Sequence, residues 1–264
     1  MRTVLTIAGS DPTGGAGVQA DLQVFASLGC HGTAIITSVT VQDTRGVHAT
    51  HHLPPECVRD QLVCLLDDVR VDAVKTGMLG AAITVEAIAR VLETYPGVPL
   101  VVDPVLRSTS GRPLLDDAGL AVLRQRLVPR ATLVTPNLDE AELLAGMEVR
   151  SLPQMRECAR RLTDLGAKAA LVKGGHLSGD PVDVLCLAEQ CYDLPGPRLA
   201  GRPVHGTGCA FAGVAAVFLA EGHPTLQAVE QAKAYVAGGI AAAHAIGSGS
   251  AVLDYAAAAK ALRL

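Results

Sequence analysis

The sequence predicts an α/β fold with residues 1–264 as one domain, built on a central, mostly parallel sheet flanked by helices. Two patterns lead there. Short apolar runs rich in β-branched residues alternate with longer stretches of helical period, the sequence mark of βαβ units. Polar and glycine-rich residues recur just after the runs, and right-handed crossovers collect such strand ends on one edge of a sheet.

Strands are expected at 3–8, 33–41, 71–75, 100–103, 133–135 and 169–173, with a pair of short strands at 183–188 and 190–194. Between the first two, Val18, Leu22, Phe25 and Leu28 share one helical face that Gly29 can terminate. Helical period also fits 57–69, 83–93, 120–127 and 155–165, and alanine-rich helices follow at about 209–220, 226–245 and 254–263. The strand ends carry Gly9-Ser10-Asp11, Gln42-Asp43-Thr44-Arg45-Gly46, Thr76-Gly77-Met78, Asp103-Pro104 and Pro136-Asn137. Chemistry is expected on that edge.

Composition narrows the partners. Hydrophobic residues make up 49% of the chain and charged ones 18%, which suits buried parallel strands. Aromatics are 3%, with no Trp, so a nucleic-acid binder's stacking platforms are missing, and a net charge of −4 argues against a phosphate-backbone partner. The apolar run at 4–8 is too short for a signal-peptide core or a membrane span, and a cytoplasmic location is expected. Seven cysteines (Cys30, Cys57, Cys64, Cys158, Cys186, Cys191 and Cys209) lack the paired spacing of a zinc site or disulfide framework and read as reduced thiols.

The sharpest local signal is His205-Gly206-Thr207-Gly208-Cys209, which leads into an all-round apolar helix. The amides of Gly206, Thr207 and Gly208 at a helix start form an anion hole suited to a transferring phosphoryl group. Cys209, in the first turn, is expected to have its pKa lowered toward neutrality by the helix dipole and to act as the base. A glycine turn that merely starts a buried helix, or a small buried cysteine, is the bland alternative. Asp103, ending a strand, and Glu140, three residues beyond Asn137, make a sparse acidic pair suited to Mg2+, which keeps several waters while bridging phosphates. Asn137 and Glu140 also match a capping box, and the two roles are compatible. Lys173-Gly174-Gly175-His176 sets a cation on flexible backbone, fit for phosphate contact or for a plain turn. No Walker A loop is present. Gly15-Ala16-Gly17-Val18-Gln19-Ala20 follows a dinucleotide fingerprint, but six residues separate it from the strand end and the second strand ends at Gln42 rather than an acid.

Taken in order, the motifs resemble the hydroxymethylpyrimidine and phosphomethylpyrimidine kinases of thiamine biosynthesis, members of the ribokinase-like superfamily. The resemblance runs from Leu5-Thr6-Ile7-Ala8-Gly9-Ser10-Asp11 through Lys75-Thr76-Gly77-Met78, Val102-Asp103-Pro104-Val105 and Thr135-Pro136-Asn137 to His205-Gly206-Thr207-Gly208-Cys209. It implies a ribokinase-like fold, a homodimer, ATP and Mg2+ as cofactors, and a small aminopyrimidine alcohol or its phosphate as substrate. By the same resemblance Cys209 is the catalytic base and Asp21, Gln42 and Met78 line the substrate pocket. Gln42 pairs with the aminopyrimidine, as an amide that donates and accepts at once can. Asn137, Lys173 and Lys233 serve ATP and phosphate; Asp103 and Glu140 serve the metal.

Three departures fall on the phosphate side. Arg202-Pro203-Val204 stands where the family has Lys-Asn-Thr, Thr109 stands where a lysine precedes Ser-Gly, and Gly247-Ser248-Gly249-Ser250-Ala251-Val252-Leu253 replaces a histidine-rich tail. Arg107 and Arg112 are the candidate replacements for the lost charge. A pyridoxal kinase, a catalytically silent precursor-binding protein and an oxidoreductase are the competing readings.

Overall fold

The computed structural model describes residues 1–108, 111–175, 181–188, 190–198 and 202–262. Among the described residues, nine strands form one sheet. The first half comprises β1 (Thr3–Ser10), α1 (Gly17–Ser27), β2 (His31–Asp43), β3 (Gly46–His52), α2 (Pro55–Asp68), β4 (Ala73–Thr76), α3 (Ala82–Glu93) and β5 (Leu100–Val102). The second half comprises α4 (Asp117–Val122), β6 (Leu133–Val134), α5 (Leu138–Ala145), α6 (Leu152–Asp164), β7 (Ala169–Val172), β8 (Val182–Leu187) and β9 (Gln190–Pro195). The chain ends with β10 (Val204–His205), α7 (Thr207–Ala220), α8 (Thr225–Ala241), β11 (Ala251–Val252) and α9 (Tyr255–Ala261). Along the sheet order β3-β2-β1-β4-β5-β6-β7-β8-β9, neighbours from β2 through β1 and β4 to β7 pair in parallel, whereas β3 pairs antiparallel with β2, β8 with β7 and β9 with β8.

Alternation along each strand feeds two cores. Leu5, Ile7, Val74, Leu100 and Val102 face the layer of α2, α3, α5 and α6, whereas Val4, Ala73 and Val101 face α1, α7, α8 and α9. Helix α7 is buried on almost every side, which is why its sequence is apolar all round. The chain leaves β1 for β2 on one side and later returns to β4 on the other. The loops after β1 and β4 therefore diverge and open a crevice at the C-terminal ends of the strands.

Several boundaries differ from the sequence expectation. The loop expected after Gln42 is the tip of a hairpin, β2 turning at Asp43 into β3, whose half-exposed Gly-Val-His-Ala-Thr-His-His carries no apolar run. The helix expected at 120–127 begins at Asp117, capped by the Asp116 side chain, then widens into a π turn over Leu123–Leu127. Helix α8 stops at Ala241, and β10 pairs with β11 in a small second sheet. Cys186 and Cys191 are not free thiols: they face each other across the β8–β9 hairpin and are joined as a disulfide. Only a few residues separate them in the chain, a spacing that reads as unpaired in sequence. Thr109, Ser110, His176 and Leu177 lie outside the described residues. Among the described residues, no helix is long and apolar enough to cross a membrane.

Candidate active site

A cleft of about 840 Å³ occupies the expected edge of the sheet. Its floor is the junction of α1 and α7. Gly206 caps α7 in the left-handed region at φ 76°, and a Cβ there would lie 1.6 Å from the Gly15 carbonyl oxygen, so only glycine fits. Gly17, at φ 61°, is held by a similar approach to the Gly9 carbonyl. The starts of both helices thus converge on one spot. Thr207, Gly208 and Cys209 line the cleft there, and their amides have no acceptor among the described residues. A helix start with its first amides open is a seat for an anion.

The Cys209 sulfur sits at this junction, facing the Gly17 amide. The thiol is not activated as expected. Burial pushes it up to about 11, with Asp103 and Asp21 adding to the rise, and the Lys75 charge and the Gly17 amide do not outweigh them. Loss of water around the sulfur beats the helix dipole.

Asp21 departs further from expectation. It does not line the cleft but lies fully buried beneath it, its Oδ2 2.8 Å from Lys75 Nζ and bonded to the Thr6 hydroxyl. Thr6 and Lys75 are register partners on β1 and β4, so both point at α1 from the same sheet face. Burial works against the Lys75 charge, yet Asp21, Cys209 and Asp103 together hold it above its ordinary value. Lys75 was not marked by any sequence signal beyond its place in a motif.

The other expected residues do line the cleft. Asp103, just after β5, accepts from Thr135 Oγ1 at 3.1 Å and lies 3.3 Å from Lys173 Nζ. Asn137 caps α5 in a reciprocal box with Glu140. Glu140 is almost fully buried, and burial pushes its carboxyl up to about 7 against the pull of Lys173. Lys173 reaches across to the start of α7, where a Cβ on Gly208 would lie 3.1 Å from its Nζ. Lys233, from α8, is ion-paired to Asp183 at the far wall. Asp103 and Glu140 are hard oxygen donors too few to cage a cation alone, and among the described residues no group of three metal-ligating side chains occurs. That donor set fits Mg2+ carried largely by water and phosphate.

Met78 and Gln42 line the cleft as well. Met78 packs on Gly9, where an added Cβ would lie 3.0 Å from its Sδ. The Gln42 amide meets His205 at 2.9 Å, and His205 meets Asp11 at 3.0 Å. Asp11 also accepts from the Thr13 and Ala16 amides. Burial would raise its pKa, but the bonds from His205 and Thr13 hold it below its ordinary value. Asp11 and His205 were quoted in motifs without a role. Arg107 lines the cleft, whereas Arg112 lies outside it and donates to the His48 carbonyl at 2.6 Å.

A mostly parallel sheet with an open helix start, two lysines and a carboxylate pair lining one cleft is the make-up of a small-molecule kinase of the ribokinase-like class, and its structural and sequence relatives bear this out. Bacillus subtilis pyridoxal kinase, solved as an ADP complex, superposes with a TM-score of 0.90 at 32% identity, over 97% of this chain and 98% of that one. Residues 11–254 match the model of the phosphomethylpyrimidine kinase family, and the chain belongs to that family. It is 46% identical to the hydroxymethylpyrimidine/phosphomethylpyrimidine kinase of Streptomyces coelicolor, over 96% of this chain and 93% of the relative. It is 45% identical to the thiamine biosynthesis bifunctional protein of Geobacter sulfurreducens over 99% of its own length, but spans only 54% of that protein.

Proposed function

We propose that the protein phosphorylates 4-amino-5-hydroxymethyl-2-methylpyrimidine with ATP, and then phosphorylates the monophosphate to the diphosphate, in thiamine biosynthesis. The observation that carries the reading is the open set of amides at the start of α7 beside the Cys209 sulfur, facing a cleft that Gln42 also lines, joined to that helix start through His205. The Gly206, Thr207 and Gly208 amides hold the transferring phosphoryl group, and fixed dipoles aimed at developing charge supply most of the acceleration in such a transfer. Lys173, Lys233 and Asn137 bind and orient the ATP phosphates. Asp103 and Glu140 would hold Mg2+, which when bound would neutralise phosphate charge. Met78 and Gln42 seat the ring so that its hydroxymethyl group points at Cys209; burial holds the thiol protonated, so it must first lose its proton to water, and the thiolate then takes the hydroxyl proton. Asp21 acts from beneath, by fixing Lys75 under the sulfur. Arg107, on the cleft wall, meets the extra phosphate of the second step.

The reading includes a cytoplasmic setting and a homodimer, for which exposed Val39 and Val41 on the long β2–β3 hairpin offer an apolar face. Pyridoxal is the second reading, favoured by the close superposition on a pyridoxal kinase. Incubation with ATP, Mg2+ and each alcohol, with product followed by mass, tests both. Two phosphoryl groups on the pyrimidine and a higher kcat/KM than for pyridoxal are expected. No phosphorylated pyrimidine would end the first reading.

A further inference from the structure

Where Gln42 lines the cleft, three polar side chains meet in a way that only one placement of hydrogens satisfies. His205 Nε2 lies 2.9 Å from the Gln42 amide nitrogen and 3.0 Å from Asp11 Oδ2. A ring nitrogen either donates or accepts. Were Nε2 to accept from the amide, its lone pair would face the Asp11 carboxylate at 3.0 Å with no proton between them. Asp11 cannot turn away, because its two oxygens also accept from the Thr13 amide and hydroxyl and from the Ala16 amide, each at 2.9 Å. Nε2 therefore carries hydrogen.

A hydrogen on Nε2 requires Gln42 to present its oxygen to His205. The two ends of an amide are nearly the same size, so hydrogen bonding decides which faces which partner. With the amide turned, its nitrogen takes the place 3.3 Å from Thr40 Oγ1. That hydroxyl already gives its own hydrogen to the Ser10 carbonyl at 2.8 Å, which leaves its oxygen to accept. Every group in the cluster is then paired, and Gln42 keeps one N–H and one oxygen lone pair for the cleft.

We infer that His205 donates its Nε2 hydrogen to Asp11 and to Gln42 Oε1, and so sets which way round the Gln42 amide offers donor and acceptor to the substrate. His205 is a positioning residue. Its consequence for turnover rests on the pyrimidine reading above; the hydrogen placement does not. An aminopyrimidine presents a ring nitrogen beside an amine, so a reversed amide would match only a ring turned over. A ring bound that way carries its hydroxymethyl group away from Cys209.

Two measurements on the intact protein test the inference. Long-range 1H–15N spectra of the histidine side chains, with His205 assigned by its loss in His205→Leu, should show a protonated Nε2. A bare Nε2 would overturn the proposal whatever the substrate. In kinetics, His205→Leu should raise KM for the pyrimidine alcohol about tenfold, the worth of roughly one hydrogen bond. KM for ATP should stay within about twofold, and His205→Gln, which restores a donor, should recover part of the loss. Equal losses in both KM values and in kcat, with no rescue by glutamine, would reduce His205 to a structural residue and sink the idea. If the pyrimidine is no substrate at all, the substrate reading falls and the spectrum alone decides the hydrogen placement.

Discussion

Replacing Gly206 with alanine tests the geometry on which the active site depends. The left-handed backbone at φ 76° costs a residue with a Cβ about 1–2 kcal/mol. The added carbon would also lie 1.6 Å from the Gly15 oxygen and 2.7 Å from its carbonyl carbon. Ordinary contact needs about 3.3 Å, so either α7 or the 14–16 loop must move by roughly 1.5 Å. Neither yields easily. The Gly15 carbonyl accepts from Tyr255, the Ala16 amide is tied to Asp11, and α7 is packed in the core. The sum is a loss of about 3–4 kcal/mol of stability. Misplacing the anion hole by about 1 Å costs on the order of 100-fold in kcat. Urea unfolding and steady-state turnover of the ATP-dependent reaction measure the two effects. Gly97→Ala is the control, since Gly97 is exposed with no atom within 4 Å of an added Cβ, and it should change stability by less than about 0.5 kcal/mol. If Gly206→Ala keeps wild-type turnover and stability, the tight junction of α1 and α7 is not what positions the amides.

Lys75→Met should lower stability by about 3–5 kcal/mol, because it strands the buried Asp21 carboxylate, and Lys75→Met with Asp21→Leu should recover much of it; a melting temperature unmoved by the single change would contradict the buried pair. With its pKa near 11, Cys209 should be alkylated by iodoacetamide at pH 8 about 100-fold more slowly than exposed Cys57 and Cys64, the rate rising tenfold per pH unit; equal labelling by mass spectrometry would refute the raised value. Cys209→Ala should lose most turnover while binding substrate nearly as tightly, and a mutant near full rate would remove the sulfur from the mechanism. Glu140 binds its proton more tightly folded than unfolded, so its contribution to stability falls as pH rises from about 4.5 to about 7. Glu140→Gln should therefore melt close to wild type at pH 5 and gain on it by pH 8; a gap that stays constant across that range would show that Glu140 does not titrate there.

The sequence by itself determined strands β1, β2 and β4 to β7 and helices α1 to α4, α6 and α7, because a buried parallel strand must be apolar and a helix between strands must show one apolar face; α5 was announced only by its capping box. It also brought most of the site to the right edge, since strand-end residues such as Asp103, Asn137 and Lys173 share that edge in any right-handed βαβ sheet. Hairpin β3 stayed hidden because a half-exposed edge strand needs no apolar alternation. Tertiary structure decided what depends on neighbours distant in the chain. Asp21 and Lys75, 54 residues apart, became a sealed pair beneath the cleft rather than pocket groups, and Gln42 met His205 across 163 residues. The Cys209 thiol, placed at a helix start by sequence, had its proton affinity set by desolvation and by the carboxylates around it. Local sequence encodes periodicity and turns; burial and charge contacts sum over the whole chain, and only the packed fold fixes their sign.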